Sequence, residues 1–223
     1  QEIYARLGKR LNTWMGTLTS AGILYETDLR LRPDGASGLL VSSIEAFEDY
    51  QLHHAWTWEH QALTRARFCC GDKGVGERFA AIREAVLTQG RDAGKLRGEV
   101  LDMRRKMLDG HPNTSGLFDL KHDRGGLVDV EFAVQYLVLS QAADHPEMTA
   151  NIGNIAPLRR AGELGLIPLE IGLAAGDAYR ELRRRQHALK LQGLEHARAE
   201  HGGLAQEIQA VKALWTNVMG EGP

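Results

Sequence analysis

Four ionisable side chains stand at alternate positions in one short stretch: Glu26, Asp28, Arg30 and Arg32. Ile23, Tyr25, Thr27, Leu29 and Leu31 fill the other phase of the alternation. A period of two along residues 23–32 predicts a β-strand with one face packed and the other turned to a polar cleft or to water. Acid and base on one face suit an anionic ligand that carries a metal. A carboxylate holds Mg²⁺, which prefers oxygen ligands and bridges to phosphate oxygens. Guanidinium groups then neutralise the remaining phosphate charge through bidentate hydrogen bonds. The order Asp28, Arg30, Arg32 therefore matches one nucleotide polyphosphate. Plain solvation of long charged side chains produces the same pattern, and the alternation alone fits both readings.

These side chains need elements to hold them. Ile3, Leu7, Leu11, Trp14 and Leu18 form one stripe at helical spacing, so residues 1–19 read as an amphipathic helix. Pro33-Asp34-Gly35 is a turn signal, and Leu39-Leu40-Val41 reads as a short returning strand, which makes one β-hairpin. Everything after it has the helical period. Ser42 with Glu45 has the form of a capping box ahead of Ile44, Phe47 and Tyr50. Further helices are expected from about Trp56 to Phe68, around Phe79, Ile82 and Val86, and around Leu96, Val100, Met103 and Met107. Gly125-Gly126 precedes a helix with Val128, Phe132, Tyr136 and Leu139. Ile155–Leu164, Leu169–Leu191 and a run from Leu204 to Val218 complete the set, with 196–203 as the most loop-like interior stretch. The fold class is mainly α: residues 1–43 as an α+β remnant with one hairpin, and residues 44–223 as an antiparallel helical bundle.

The strings on which these features fall resemble glutamine synthetase adenylyltransferase. They are Leu24-Tyr25-Glu26-Thr27-Asp28-Leu29-Arg30-Leu31-Arg32-Pro33, Ala55-Trp56-Thr57-Trp58-Glu59-His60-Gln61-Ala62-Leu63, and Phe118-Asp119-Leu120-Lys121. Gly125-Gly126-Leu127-Val128-Asp129-Val130-Glu131-Phe132 continues the resemblance. In that family two nucleotidyltransferase domains lie in tandem, each followed by a helical bundle, and the string at Trp58 to Leu63 looks like the adenylylating, C-terminal half. The resemblance implies transfer of AMP from ATP to a tyrosine of glutamine synthetase. It also implies a PII-type signalling protein as regulator and Mg²⁺ as cofactor. Asp28 corresponds to the third carboxylate of a two-metal site, with Arg30 and Arg32 near the phosphates, and Glu26 either supports them or is solvated. The family's Gly-Ser loop and Asp-x-Asp pair do not occur upstream of Ile23, and the chain opens on Gln1 inside a helical pattern. It therefore reads as a truncated piece, inactive alone, whose last helix resembles the family's C-terminal end. A PII uridylyltransferase-like enzyme and a non-catalytic docking module are the alternatives.

Other residues carry two readings each. Glu59, Arg65 and Arg67, beside Trp56 and Trp58, suit ion pairs between bundle and sheet, or nucleotide contact. The two tryptophans read as core or interface residues. Asp129 and Glu131 at a helix start suit capping, or a place on the cleft with Lys121. Arg183-Arg184-Arg185 reads as a solvated face or an acidic-partner contact.

Composition narrows the classes. A net charge of −2 supplies no global field for nucleic acid. No apolar run approaches the roughly 20 residues of a membrane span. Cys69 and Cys70 are adjacent and cannot staple a fold, which fits a reducing cytoplasm, and the histidines lack the pairing expected of a zinc site.

Overall fold

The computed structural model describes residues 2–220 apart from 24, 26, 30, 34, 36, 37, 151 and 152. Helix α1 spans Glu2–Gly16, and strands β1 (Leu18–Thr19) and β2 (Gly22–Ile23) follow it as a tight antiparallel pair. The turn between them needs a positive φ, which Gly22 supplies at 102°. Helices α2 (Ile44–His53), α3 (Thr57–Leu63), α4 (Lys73–Leu87) and α5 (Ala93–Asp109) come next. Strand β3 (Phe118–Asp119) leads to α6 (Leu127–Gln141), α7 (Ile155–Glu163) and α8 (Leu169–Leu191). Strand β4 (Arg198–Ala199) returns to pair antiparallel with β3, and α9 (Ala205–Met219) closes the order. The mainly helical class is the one expected.

Helix α6 sits at the centre because its sequence leaves no polar face: ten of its residues are buried, from Leu127 to Leu139. Helices α3, α5, α7, α8 and α9 all pack on it. The tightest neighbours are α7 with α8 and α8 with α9. Gly172 permits the first of these, since a Cβ there would stand 2.6 Å from the Leu158 carbonyl oxygen. Phe47 of α2 and Phe79 of α4 meet with ring centroids 5.6 Å apart, which ties the outer helices together.

Two expectations near the front of the chain are corrected. Among the described residues the ten-residue strand over 23–32 does not form: the described pairing ends at Ile23, and residues 25, 27, 28 and 29 have no strand structure. The returning strand at Leu39-Leu40-Val41 is likewise unformed, and the hairpin lies at Leu18–Ile23 instead. Alternation specifies which side chains share a face but supplies no neighbour to take the backbone N–H and C=O groups. Ile23, Tyr25 and Leu31 are accordingly exposed, not packed. The stripe of α1 is exposed too, with Ile3, Leu7, Leu11 and Trp14 all open to solvent. On another side of α1, Gly8 lets Leu40 and Val41 approach closely. At the start of α2 the cap is Ser43, whose Oγ accepts from Ala46 N at 3.2 Å, in place of Ser42.

Candidate functional site

The segment carrying Asp28 is held by α1 rather than by a sheet. Tyr25 N donates to the Met15 carbonyl at 3.2 Å, and the Thr27 hydroxyl donates to Asn12 Oδ1. Asp28 is exposed. Arg32 folds back on its own loop, donating from Nε to Gly38 O at 3.2 Å and from Nη1 to Leu29 O at 3.0 Å. That arrangement gives Arg32 a local positioning job. Glu26 and Arg30 lie outside the described residues, so the shared projection expected of Asp28 and Arg30 lies there too. Among the described residues no three His, Cys, Asp or Glu side chains converge as metal ligands. An octahedral Mg²⁺ site needs several oxygen ligands, and one exposed carboxylate does not build it. No step through the metal follows from these residues.

Glu59 is buried at the first turn of α3, and its work there is visible. Tyr50 Oη donates to both carboxylate oxygens at 3.0 Å, and Trp56 N donates to Oε2 at 2.9 Å. It therefore caps α3 and couples α2 to it. Arg65 and Arg67 are exposed. The arginine that knits this region is Arg83 of α4. It donates to Leu63 O at 3.0 Å, Thr64 O at 2.6 Å and Thr149 O at 2.9 Å, satisfying carbonyls at the end of α3. Trp56 is exposed, so it is not a core residue, whereas Trp58 is half-buried.

His60, next to Glu59, has a fixed tautomer. Arg91 Nη2 lies 3.2 Å from Nδ1 and can only donate, so Nδ1 accepts. Nε2 then carries the hydrogen and donates to Gln51 O at 2.9 Å. Burial first, then the Arg91 charge, hold the imidazole below its usual value against the pull of that carbonyl. A folded pKa below the unfolded 6.5 means the unfolded chain takes the proton more readily. The contribution is complete above 6.5 and is lost as pH falls toward the folded value. In urea titrations across that interval, His60→Gln should lose less stability on acidification than the parent chain. An unchanged pH slope would contradict the assignment.

The turn between β3 and α6 is built by three aspartates. Asp119 Oδ1 accepts from Lys121 N and His122 N, both at 3.0 Å. Burial alone would raise the Asp119 carboxyl, but these two N–H groups, with His122 and Arg198 nearby, outweigh it and hold it low. Asp123 Oδ2 accepts from Asp119 N at 2.8 Å and Asn113 Nδ2 at 2.7 Å. Asp129 is 1 % exposed; its Oδ2 accepts from Gly125 N at 2.6 Å and its Oδ1 from Arg104 Nε at 2.6 Å. Burial pushes the Asp129 carboxyl up, with Arg104 and the Gly125 N–H pulling against it. Asp129 is thus part of the core and not of a cleft wall. Arg104 Nη2 donates to His122 O at 2.8 Å, so the same guanidinium fixes the turn.

Glu131 accepts from Tyr179 Oη at 3.0 Å, and Tyr179 Oη accepts from Asn154 Nδ2 at 2.8 Å. Burial and the Glu131 charge push the Tyr179 hydroxyl up to about 12. Lys121 is exposed and lines a cleft with Asp119 and His122. The arginine run is partly self-paired: Arg184 and Arg185 both bond Glu181 and draw its carboxyl down to about 2. Sequence reasoning passed over Arg104, Arg83 and Tyr179. Arg104 had a signal, because it continues the Leu96, Val100 stripe of α5 at the next helical step.

Comparison with known proteins follows these elements. The family model for Glutamate-ammonia ligase adenylyltransferase matches residues 1–82, and that for GlnD PII-uridylyltransferase matches residues 98–201. A bifunctional glutamine synthetase adenylyltransferase/adenylyl-removing enzyme of Bordetella bronchiseptica is 60% identical over 221 residues, covering 99% of this chain and 24% of that protein. The corresponding proteins of Aromatoleum aromaticum (58% over 219 residues, 98% and 23%) and Nitrosomonas europaea (54% over 232 residues, 98% and 25%) match similarly. The chain spans about a quarter of the length of these relatives. Among the described residues no helix is long and apolar enough to cross a membrane.

Proposed function

Over the residues it shares with those relatives the chain belongs to the glutamine synthetase adenylyltransferase family, and from that membership we infer that it serves in an enzyme transferring AMP from ATP to a tyrosine of glutamine synthetase. The observation that carries this is 60% identity across 221 residues to a protein bearing that name. Residues 1–43 act as the closing part of a nucleotidyltransferase domain, and 44–223 as the bundle behind it. Asp28 supplies one carboxylate toward Mg²⁺, whose chemistry is to bind the triphosphate and lower the barrier to phosphoryl attack. The further ligands come from elsewhere in a longer protein. Arg30 and Arg32 act near the phosphates, Arg32 by holding the loop that presents Asp28. Glu26 is read either as supporting them from behind or as plainly solvated. The exposed stripe of α1 supports this reading, because relatives four times as long have further chain to cover it. A PII-type protein is the proposed regulator, and the stretch as it stands is proposed to be inactive alone.

One observation favours a second reading. Residues 98–201 match the PII-uridylyltransferase model, so the bundle also suits an enzyme that takes UTP and modifies a PII-type protein. Both readings are tested together by extending the chain upstream by about 100 residues, the scale of a domain. The extended protein is incubated with Mg²⁺ and either ATP plus glutamine synthetase or UTP plus a PII-type protein, and intact target masses are followed. One AMP gained by glutamine synthetase is the expected result. One UMP gained by the PII-type protein instead would favour the second reading, and no gain on either target would leave a docking module.

A further inference from the structure

A polar cleft of about 420 Å³ opens between the end of α5, the β3–α6 turn, the C-terminal half of α8 and the segment leading into β4. None of the residues around Asp28 lines it. Its basic groups are Lys121, Lys190 and Arg198, with the stacked rings of His111 and His122, whose centroids are 3.9 Å apart at 10°. Asp119 and Glu195 oppose them.

The acceptor capacity of the cleft is largely in use. Asp119 already takes two backbone N–H groups and stands 3.6 Å from the Arg198 guanidinium. The donor capacity is not. Arg198 Nε is buried and faces Asp119 Oδ2 at 3.6 Å without a hydrogen bond, and the terminal guanidinium nitrogens donate to no described residue. Gln186, nine-tenths buried, accepts from Arg183 Nη1 at 2.9 Å through Oε1, while its amide NH₂ donates to no described residue. The Lys121 side chain is exposed, while its backbone N–H and C=O are engaged in the turn, with Asp119 Oδ1 and Val128 N. His111 Nδ1 lies 2.8 Å from the Met107 carbonyl and donates to it, so Nε2 of the neutral ring is an acceptor and the stacked rings report on the cleft without adding a donor. Unpaired donors in a partly desolvated pocket with excess positive charge select an oxyanion with several acceptor oxygens. The shape is fixed in advance, since Arg104 holds the His122 carbonyl and Lys190 Nζ holds the Glu195 carbonyl.

We propose that this cleft is a binding site for a small phosphate-bearing molecule, separate from the Asp28 loop, with Arg198, Gln186 and Lys121 as its donors. The ligand seats its phosphoryl oxygens against the Arg198 and Gln186 N–H groups while Lys121 closes over the mouth. The site is independent of which nucleotide the parent enzyme uses.

Inorganic phosphate is the probe. The 223-residue chain is titrated with it while the His111 and His122 ring C–H resonances are followed by NMR. Saturable, stoichiometric shifts of both rings are expected. Arg198→Gln and Lys121→Ala should each weaken the apparent affinity by about tenfold, the loss of one charge-assisted contact. Lys121→Ala removes only an exposed side chain, so its folding is a safe reference should Arg198→Gln disturb β3–β4. Shifts that never saturate, or an affinity unchanged in Lys121→Ala, would overturn the proposal.

Discussion

Arg104→Ala should cost the folded chain about 3–5 kcal/mol, the usual penalty for stripping one partner from a buried ion pair. Arg104 and Asp129 are each 1 % exposed, and their contact of 2.6 Å leaves no room for water to substitute. Removing the guanidinium strands the Asp129 carboxylate beside a single N–H donor, from Gly125. Burial already pushes that carboxyl up, and without Arg104 it should go further up. The His122 carbonyl loses its partner in the same step. With a urea slope of about 1–3 kcal/mol per molar, the unfolding midpoint should fall by about 1–2 M or more. The double variant Arg104→Met with Asp129→Asn removes both charges and keeps an acceptor for Gly125 N. It should be less destabilised than the sum of its single variants, because coupled residues do not add. Strict additivity would show the pair to be incidental.

The second large effect concerns chemistry. In a longer adenylyltransferase carrying this stretch, Asp28→Asn should lower AMP transfer to glutamine synthetase by about a hundredfold or more. That is the scale on which a lost metal-ligand charge removes several kcal/mol of transition-state stabilisation. ATP binding should change much less, since the triphosphate retains its other contacts. Intact-mass measurement of glutamine synthetase gives the rate, and nucleotide titration gives the affinity. Asp28 is exposed and outside the apolar core, and a urea titration of the variant checks that the fold is intact. Wild-type transfer by the variant would remove Asp28 from the proposed machinery.

The bundle was legible in the sequence because its apolar residues recur at helical spacing and its ends carry ordinary stop signals. Leu169–Leu191 was bounded to the residue, by Pro168 before it and Gly193 after it. The front of the chain was less so. The alternation at 23–32 described faces, and a strand also requires a partner, which no run of residues 23–32 could reveal. The Glu59 carboxylate was visible, but its partners were the Tyr50 hydroxyl and a backbone N–H, not the nearby arginines. Asp129 was legible as a helix-start carboxylate. Its ion pair depends on Arg104, 25 residues earlier on another helix, and only packing decides which charges meet over such separations. The polar cleft was the least legible, since its walls come from four separate parts of the chain.

Burial of ten of the fifteen residues of α6 has a consequence in time. Five helices pack on it, so most of its amides cannot reach water by fraying of a single face. Exchange of its backbone hydrogens with deuterium therefore has to wait for the whole bundle to open, so α6 should be the last segment to exchange. The exposed helix α1, with no buried residue of its own, should exchange early. The chain thus holds a slow interior clock and a fast outer edge. Ligand binding that tightens the bundle would register first as a slower clock, before any change of shape.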